Sequence, residues 1–481
     1  MNLAEYSLYD GVALAGLVRN EKVSPRELAS LFAEAVEKVN PRINSVIEVW
    51  SDRIGGPDGA PAPDGPFAGV PFLMKDVGAG EAGRAQDSGS RLMKGHVVDR
   101  DSFLTDRFKK AGLTLLGRTT CPEFAMGIST ESVLTGATRN PWDLGKMAGG
   151  SSGGSAASVA AGIVPVAHGS DNGGSIRIPA SACGLVGLKP SRGRVTGGPD
   201  MGEIMSGTLQ EFVLTRTVRD TAVMLDAVSS PAPGDPYIIV QPSRPYRQEV
   251  GAHPGKLRAA WTTDPWKPGT RPDSEVVACV EQVASELEHA GHELVEAAPA
   301  FDYEEFLRAA CIAWAVGMNA GMDMFGAMMG RRVSLETVEP VLMSYYDYAK
   351  GLGAADTFMV EMILNKFRRT FGRFFETYDL LVTPTLTKLP EPIGTYSKMR
   401  TDIDYVGFMR LCDETAGFCR AANVTGQPAI SLPLGQSSSG LPIGVQFIGR
   451  FGDEATLIRL ASYLEQAMPW RERVPPIHAS R

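Results

Sequence analysis

Just after residue 24, apolar positions recur at helical spacing: Leu28, Leu31, Phe32, Ala35, Val36 and Val39 share one face. Ser24-Pro25-Arg26-Glu27 stands before them in the form of a capping box with proline at the first helical position, which predicts a helix over about 25–39. GGPDGAPAPDGP, from Gly55 to Pro66, can sustain neither helix nor strand and predicts a loop. It opens into AGVPFLMKDV, a continuous apolar run that predicts a buried strand carrying Lys75. AASVAAGIVPVA reads as a short buried helix running into a strand at Ile163–Ala167. LRAAWTT, the helical pattern from Val276 to Leu287, and HELVEA predict strand, helix and strand, after a long Pro-rich connection from Ser229 to Gly255. LLVTPT, QPAISLPLG and LPIGVQFIG predict three more strands, the last two joined by a QSSSG turn, so both ends of the chain are expected to feed one sheet.

One long segment departs from this alternation. From Ala310 to Tyr348 the chain gathers Trp314, Met318, Met322, Met324, Phe325, Met328, Met329, Met343, Tyr345, Tyr346 and Tyr348. Plain helical core explains such a run; so does an adaptable apolar pocket wall, since thioethers and rings fill irregular gaps.

Composition narrows the function. The 481 residues carry 47 Lys plus Arg against 55 Asp plus Glu, a net charge of −8, which offers nucleic acid or anionic lipid no broad basic field. No apolar run reaches the roughly 18 residues that span a bilayer, and MNLAEYSLYD lacks a signal-peptide pattern, so a cytoplasmic protein is expected. The six cysteines, Cys121, Cys183, Cys279, Cys311, Cys412 and Cys419, show no CxxC spacing and read as buried free thiols. His289 and His292 form an HxxH without a third ligand nearby, so no metal site is expected.

The chemistry is concentrated between Gly149 and Pro190, in GGSSGGSAASVAAGIVPVAHGSDNGGSIRIPASACGLVGLKP. Two glycine-serine nests lie there, and each lets successive backbone N–H groups converge on one space. In Ser170-Asp171-Asn172-Gly173-Gly174-Ser175 the amides of Asn172, Gly173 and Gly174 are the expected oxyanion hole, with Ser175 as nucleophile. A serine hydroxyl is inert at neutral pH without a base, and no motif places an Asp-His pair to serve it.

GGSSGGSAA and SDNGGSIRIPASACGLVGLKP, with VPFLMKD upstream, strongly resemble the amidase signature family from about Phe67 to Val195. PWDLG, TRTVRD, VTGQPAISLP and PIGVQFIG extend the likeness over most of the chain. The resemblance implies Lys75 as base, Ser151 as proton relay, Ser175 as nucleophile and a cis peptide at Gly150-Ser151. Ser152 is expected to support the network, and Asp171 and Arg177 to fix the nucleophile loop. It also implies a single α/β domain over 1–481, a large mixed sheet flanked by helices on both faces, with a substrate-shaping insertion over about 200–375. No metal or organic cofactor is implied, and a homodimer is common among relatives.

VAHGSDNGGSIRIPAS, PWDLG, SRPY, PGD and LEQAMPW look like bacterial amidases of the 6-aminohexanoate cyclic-dimer hydrolase and urethane-cleaving kinds. That likeness implies a small apolar amide, anilide, cyclic amide or carbamate lodged against Cys311, Trp314, Met318, Met322 and Phe325. Other readings of the same residues are weaker. Gly149-Gly150-Ser151-Ser152-Gly153 fits GxSxG, but His253, His289, His292 and His478 lie in no recognisable triad setting. Ser170-Asp171-Asn172 fits SDN without an SxxK or KTG, and Gly78–Gly83 fits GxGxxG without a following apolar helix. Taken alone, Lys75 beside Asp76 reads as a salt-bridged lysine; the two serine nests reverse that. A glutaminase subunit serving a tRNA-charging complex is the alternative within the family, and a catalytically silent binding protein the alternative outside it.

Overall fold

The apolar run before Lys75 forms the strand Pro71–Lys75 with all five residues buried, and a strand that meets no water on either face has no reason to alternate. The computed structural model describes residues 1–54, 65–203 and 205–481; most of the loop expected from Gly55 to Pro66 lies outside them. The main sheet is built from β1 (Val46–Val49), β2 (Pro71–Lys75), β3 (Thr114–Thr119), β4 (Val166–Asp171), β5 (Val186–Lys189) and β6 (Gln210–Thr215). It continues with β7 (Arg258–Trp261), β8 (Glu293–Glu296), β9 (Leu380–Pro384), β10 (Ala429–Gln436) and β11 (Pro442–Gly449). These 11 strands lie in the order β1-β3-β2-β4-β6-β5-β10-β11-β9-β7-β8. Parallel pairs join β2 to β3 and β4, and β7 to β8 and β9; the central strands pair antiparallel. Both ends of the chain thus enter one mixed sheet, as the sequence predicts.

Three local departures have physical causes. The helix expected over about 25–39 keeps its capping box but runs Pro25–Ile43, through Pro41 to Asn44, whose left-handed backbone (φ 50°) ends it. The strand expected at Ile163–Ala167 begins only at Val166. Ile163 N–H still closes the preceding helix on Ser158 O, and Pro165 has no N–H to give a ladder. The stretch expected as an insertion over 200–375 contributes β6, β7 and β8, so its first part, up to Glu296, belongs to the sheet. The helices Tyr303–Met329, Pro340–Lys350 and Ala354–Thr377 follow as one continuous group, the first and third sharing a core with Ala260, Leu381 and Ile448 of the sheet.

The small residues of the signature bring elements into contact. Helix Gly153–Ala160 is buried throughout, and a Cβ on Gly153 or Gly154 would fall 2.3 Å from Thr130 Oγ1 or Thr120 Oγ1. Only glycine lets this helix settle that close to its neighbours. The Met- and aromatic-rich helices form a separate core with Phe124, Ile178, Phe408 and Cys419, on the side of the sheet where the nucleophile loop emerges. All six cysteines are free and buried.

Candidate active site

Strand β2 ends by delivering Lys75 into the interior, where the residue is 1% exposed. Its Nζ lies 2.7 Å from Ser151 Oγ and 2.9 Å from Ser170 Oγ, with Ser170 O at 3.5 Å. Burial penalises the ammonium form and brings the lysine down to about 8; the acidic neighbours Cys121, Glu211 and Asp171 oppose that fall.

Ser151 follows a cis peptide bond to Gly150. Thr130 holds this turn, its hydroxyl donating to Gly149 O at 2.9 Å and accepting from Gly153 N–H at 3.1 Å. Ser152 ties the two serine nests together. Its N–H donates to Ser175 O at 3.2 Å and its hydroxyl to Ser170 O at 3.2 Å. Ser175 is therefore a neighbour of Ser151 although 24 positions separate them in the chain; it is half-buried.

The loop before Ser175 is organised by Asp171, which is wholly buried. Its Oδ1 accepts from Gly174 N–H at 2.7 Å, from Arg177 Nη2 at 2.9 Å and from Asn423 Nδ2 at 2.8 Å. Its Oδ2 accepts from Arg177 Nε at 2.9 Å and Ile176 N–H at 3.2 Å. Burial alone would raise this carboxyl, but the Arg177 guanidinium and these donors hold it well below the usual carboxylate range. Arg177 spends its remaining donors on Cys419 O at 2.8 Å and on Gln446 Oε1 and Asn423 Oδ1, both at 2.6 Å. A buried pair with every donor matched escapes most of the desolvation cost.

This arrangement corrects one expectation. Gly174 N–H is committed to Asp171, so of the three expected oxyanion donors it is not free to face a substrate oxygen. The amides of Asn172 and Gly173 have no acceptor among the described residues. The Asn172 side chain is engaged too: Nδ2 donates to Met205 Sδ at 2.9 Å and Oδ1 accepts from Thr208 Oγ1.

The five expected pocket residues divide. Trp314 lies against the nucleophile loop, where a Cβ on Gly173 would fall 2.8 Å from its ring, and its Nε1 is 3.4 Å from Thr208 Oγ1. Arg420 covers the ring at 4.8 Å. Met318 and Phe325 are half-buried, Phe325 stacked on Phe124 at 6.0 Å. Cys311 and Met322 are 0% exposed and serve as core. Both are enclosed in the core that these helices form, so they line no accessible pocket. Sequence reasoning missed Ser170, Thr130, Asn423, Gln446, His168 and Glu211. Ser170 stands inside the second nest without a role of its own, His168 falls just past the strand expected at Ile163–Ala167, and the others are distant in sequence.

A large mixed sheet with a buried lysine bonded to a serine, beside a Gly-Gly-Ser loop, defines a hydrolase of the amidase class. The chain belongs to the amidase family: that family's profile, Amidase, matches residues 27–458. It is 38% identical over 478 residues to 6-aminohexanoate-cyclic-dimer hydrolase of Paenarthrobacter ureafaciens, covering 97% of this chain and 96% of that relative. The solved structure of 6-aminohexanoate cyclic dimer hydrolase complexed with substrate superposes with a TM-score of 0.90 at 36% identity, over 98% of this chain and 99% of that one. A bacterial aryl acylamidase of the amidase signature family superposes at 0.86 with 25% identity, over 98% and 99%. Among the described residues no helix is long and apolar enough to cross a membrane.

Proposed function

We propose that the chain hydrolyses small apolar amides through an acyl-enzyme, with Ser175 as nucleophile, Ser151 as relay and Lys75 as base. The observation that carries this reading is the 2.7 Å contact of Lys75 Nζ with Ser151 Oγ in a buried setting that favours the neutral amine. Neutral Lys75 takes the Ser151 hydroxyl proton while Ser151 takes that of Ser175, and Ser175 Oγ bonds to the substrate carbonyl carbon. The developing oxyanion is received by the Asn172 and Gly173 amides. The proton returns through Ser151 to the leaving nitrogen as the C–N bond breaks, and water then cleaves the ester by the same route in reverse.

The wall around Ser175 and the relatives support the substrate class. Trp314 offers a flat apolar face beside the nucleophile loop, suited to aryl or methylene chains rather than a charged group. Relatives named for a cyclic amide dimer and an aryl acylamide fit the same preference.

The test is hydrolysis of an aryl amide, an aryl carbamate, a cyclic amide, glutamine and an aryl ester by wild type, Ser175→Ala and Lys75→Ala. Apolar amides should be cleaved faster than glutamine. Ser175→Ala should lose roughly 10⁴-fold or more and Lys75→Ala roughly 10²–10⁴-fold. Turnover surviving Ser175→Ala would exclude this nucleophile.

A further inference from the structure

Beside Lys75 lies a buried pair that the hydrolytic scheme leaves idle. His168 and Ser170 are two apart on β4 and share one face of the sheet, and Glu211 stands opposite Ser170 in the β6 register. The backbone N–H of Lys75 donates to His168 Nδ1 at 3.3 Å. With Nδ1 accepting, the proton of the neutral ring sits on Nε2, which donates to Glu211 Oε2 at 3.2 Å. Ala79 N–H donates to the same oxygen at 3.0 Å. Glu211 Oε1 is buried and has no hydrogen-bond partner among the described residues. A Cβ on Gly78 would fall 2.1 Å from it, so glycine is what allows the loop after β2 to close over the carboxylate.

We propose that Glu211 is a positioning residue for Lys75: through His168 and the Ala79 amide it holds the strand end that carries the base, and it sets a buried negative charge beside it. The inference rests on Lys75 being the base. The charged and titratable groups facing that lysine are His168 and Asp171 from β4, Glu211 from β6, Cys121 just after β3, and Asp76, the next residue after its own strand. Asp171 is paired with Arg177, and Asp76 with Arg118 at 2.7 Å. The only ion-pair partner of Glu211 among the described residues is the ring of His168, which carries no charge in this tautomer. Its charge therefore favours the ammonium form of Lys75 against the pull of burial, and so sets where the base becomes active.

The experiment is the pH dependence of kcat/KM on an aryl amide for wild type, Lys75→Ala, Glu211→Gln, His168→Gln and His168→Leu, with Tm measured for each. Glu211→Gln keeps the shape and removes the charge, so the acid limb should move to lower pH by roughly one unit. His168→Leu takes a donor from Glu211 and should move the limb the same way. His168→Gln can accept from Lys75 N–H and donate to Glu211, and should stay near wild type. An unmoved limb in a folded Glu211→Gln overturns the proposal; if that variant does not fold, equal limbs in the two His168 variants overturn it. A wild type without an acid limb, or full activity in Lys75→Ala, would instead remove Lys75 as base and leave the role of Glu211 to fall with it.

Discussion

Each group at the centre of this site is defined by what surrounds it. Lys75 in water would be an ammonium; burial brings it down to about 8, so its working form is the minority species at neutral pH. The sign follows directly: a base must be unprotonated, so kcat/KM is expected to rise with pH and level off above about 8. A pH profile with a limb below 6 would contradict that. Arg177 is the opposite case, a cation kept charged by a complete set of acceptors. Arg177→Met leaves Asp171 buried without its counter-charge and should cost roughly 3–5 kcal/mol in denaturant unfolding. Arg177→Lys should not rescue it, because an ammonium cannot reproduce the fork to both Asp171 oxygens. Ser175 is legible in the sequence because its Gly-Gly-Ser nest has no other ready use, whereas Lys75 and Ser151 take their roles from the family resemblance. His168 and Glu211 are not: a histidine in a strand and a glutamate 43 positions away meet only through the β4–β6 register.

Elements were legible where one period dominated. The capped helix after Ser24, the buried strand before Lys75 and the C-terminal hairpin all follow from pattern and turn chemistry. The Met-rich segment resisted because one stripe of one helix holds both buried and half-buried residues. Cys311 and Met322 face inward, while Trp314 turns toward the loop before Ser175. Spacing alone does not divide that stripe into core and pocket. The consequence is specific to Trp314. Trp314→Ala should raise KM for aryl amides at least several-fold more than for a small aliphatic amide, with thermal stability little changed because the ring is only half-buried. Equal effects on both substrates would assign the ring to packing. Gly154 belongs to the opposite kind. Gly154→Val would drive a side chain into Thr120, and should lower Tm and activity together by displacing the helix that begins behind Ser151.

At the scale of the molecule, one sheet carries the chemistry and a helical group packs against it. Phe306 stacks on Phe367 with ring centroids 4.4 Å apart, and Phe301 and Phe371 pack around them. Phe367→Ala should cost roughly 3–5 kcal/mol while leaving kcat near wild type at temperatures where the chain stays folded. The mixed sheet and its helical cover follow from the family resemblance, whereas the crossing that inserts β6 between β4 and β5 does not show in local pattern. Arg177 and Asp171 bind directly to Asn423, and Arg177 to Gln446, more than 240 positions further along the chain. During synthesis Lys75, Ser151 and Ser175 are all made before the halfway point, yet the loop that presents the nucleophile lacks its ties to Asn423 and Gln446 until the last strand of the sheet leaves the ribosome. A nascent chain thus carries its reactive groups for most of its assembly in an unarmed form, and a message that stops short of Asn423 should yield a protein with the whole triad and no turnover.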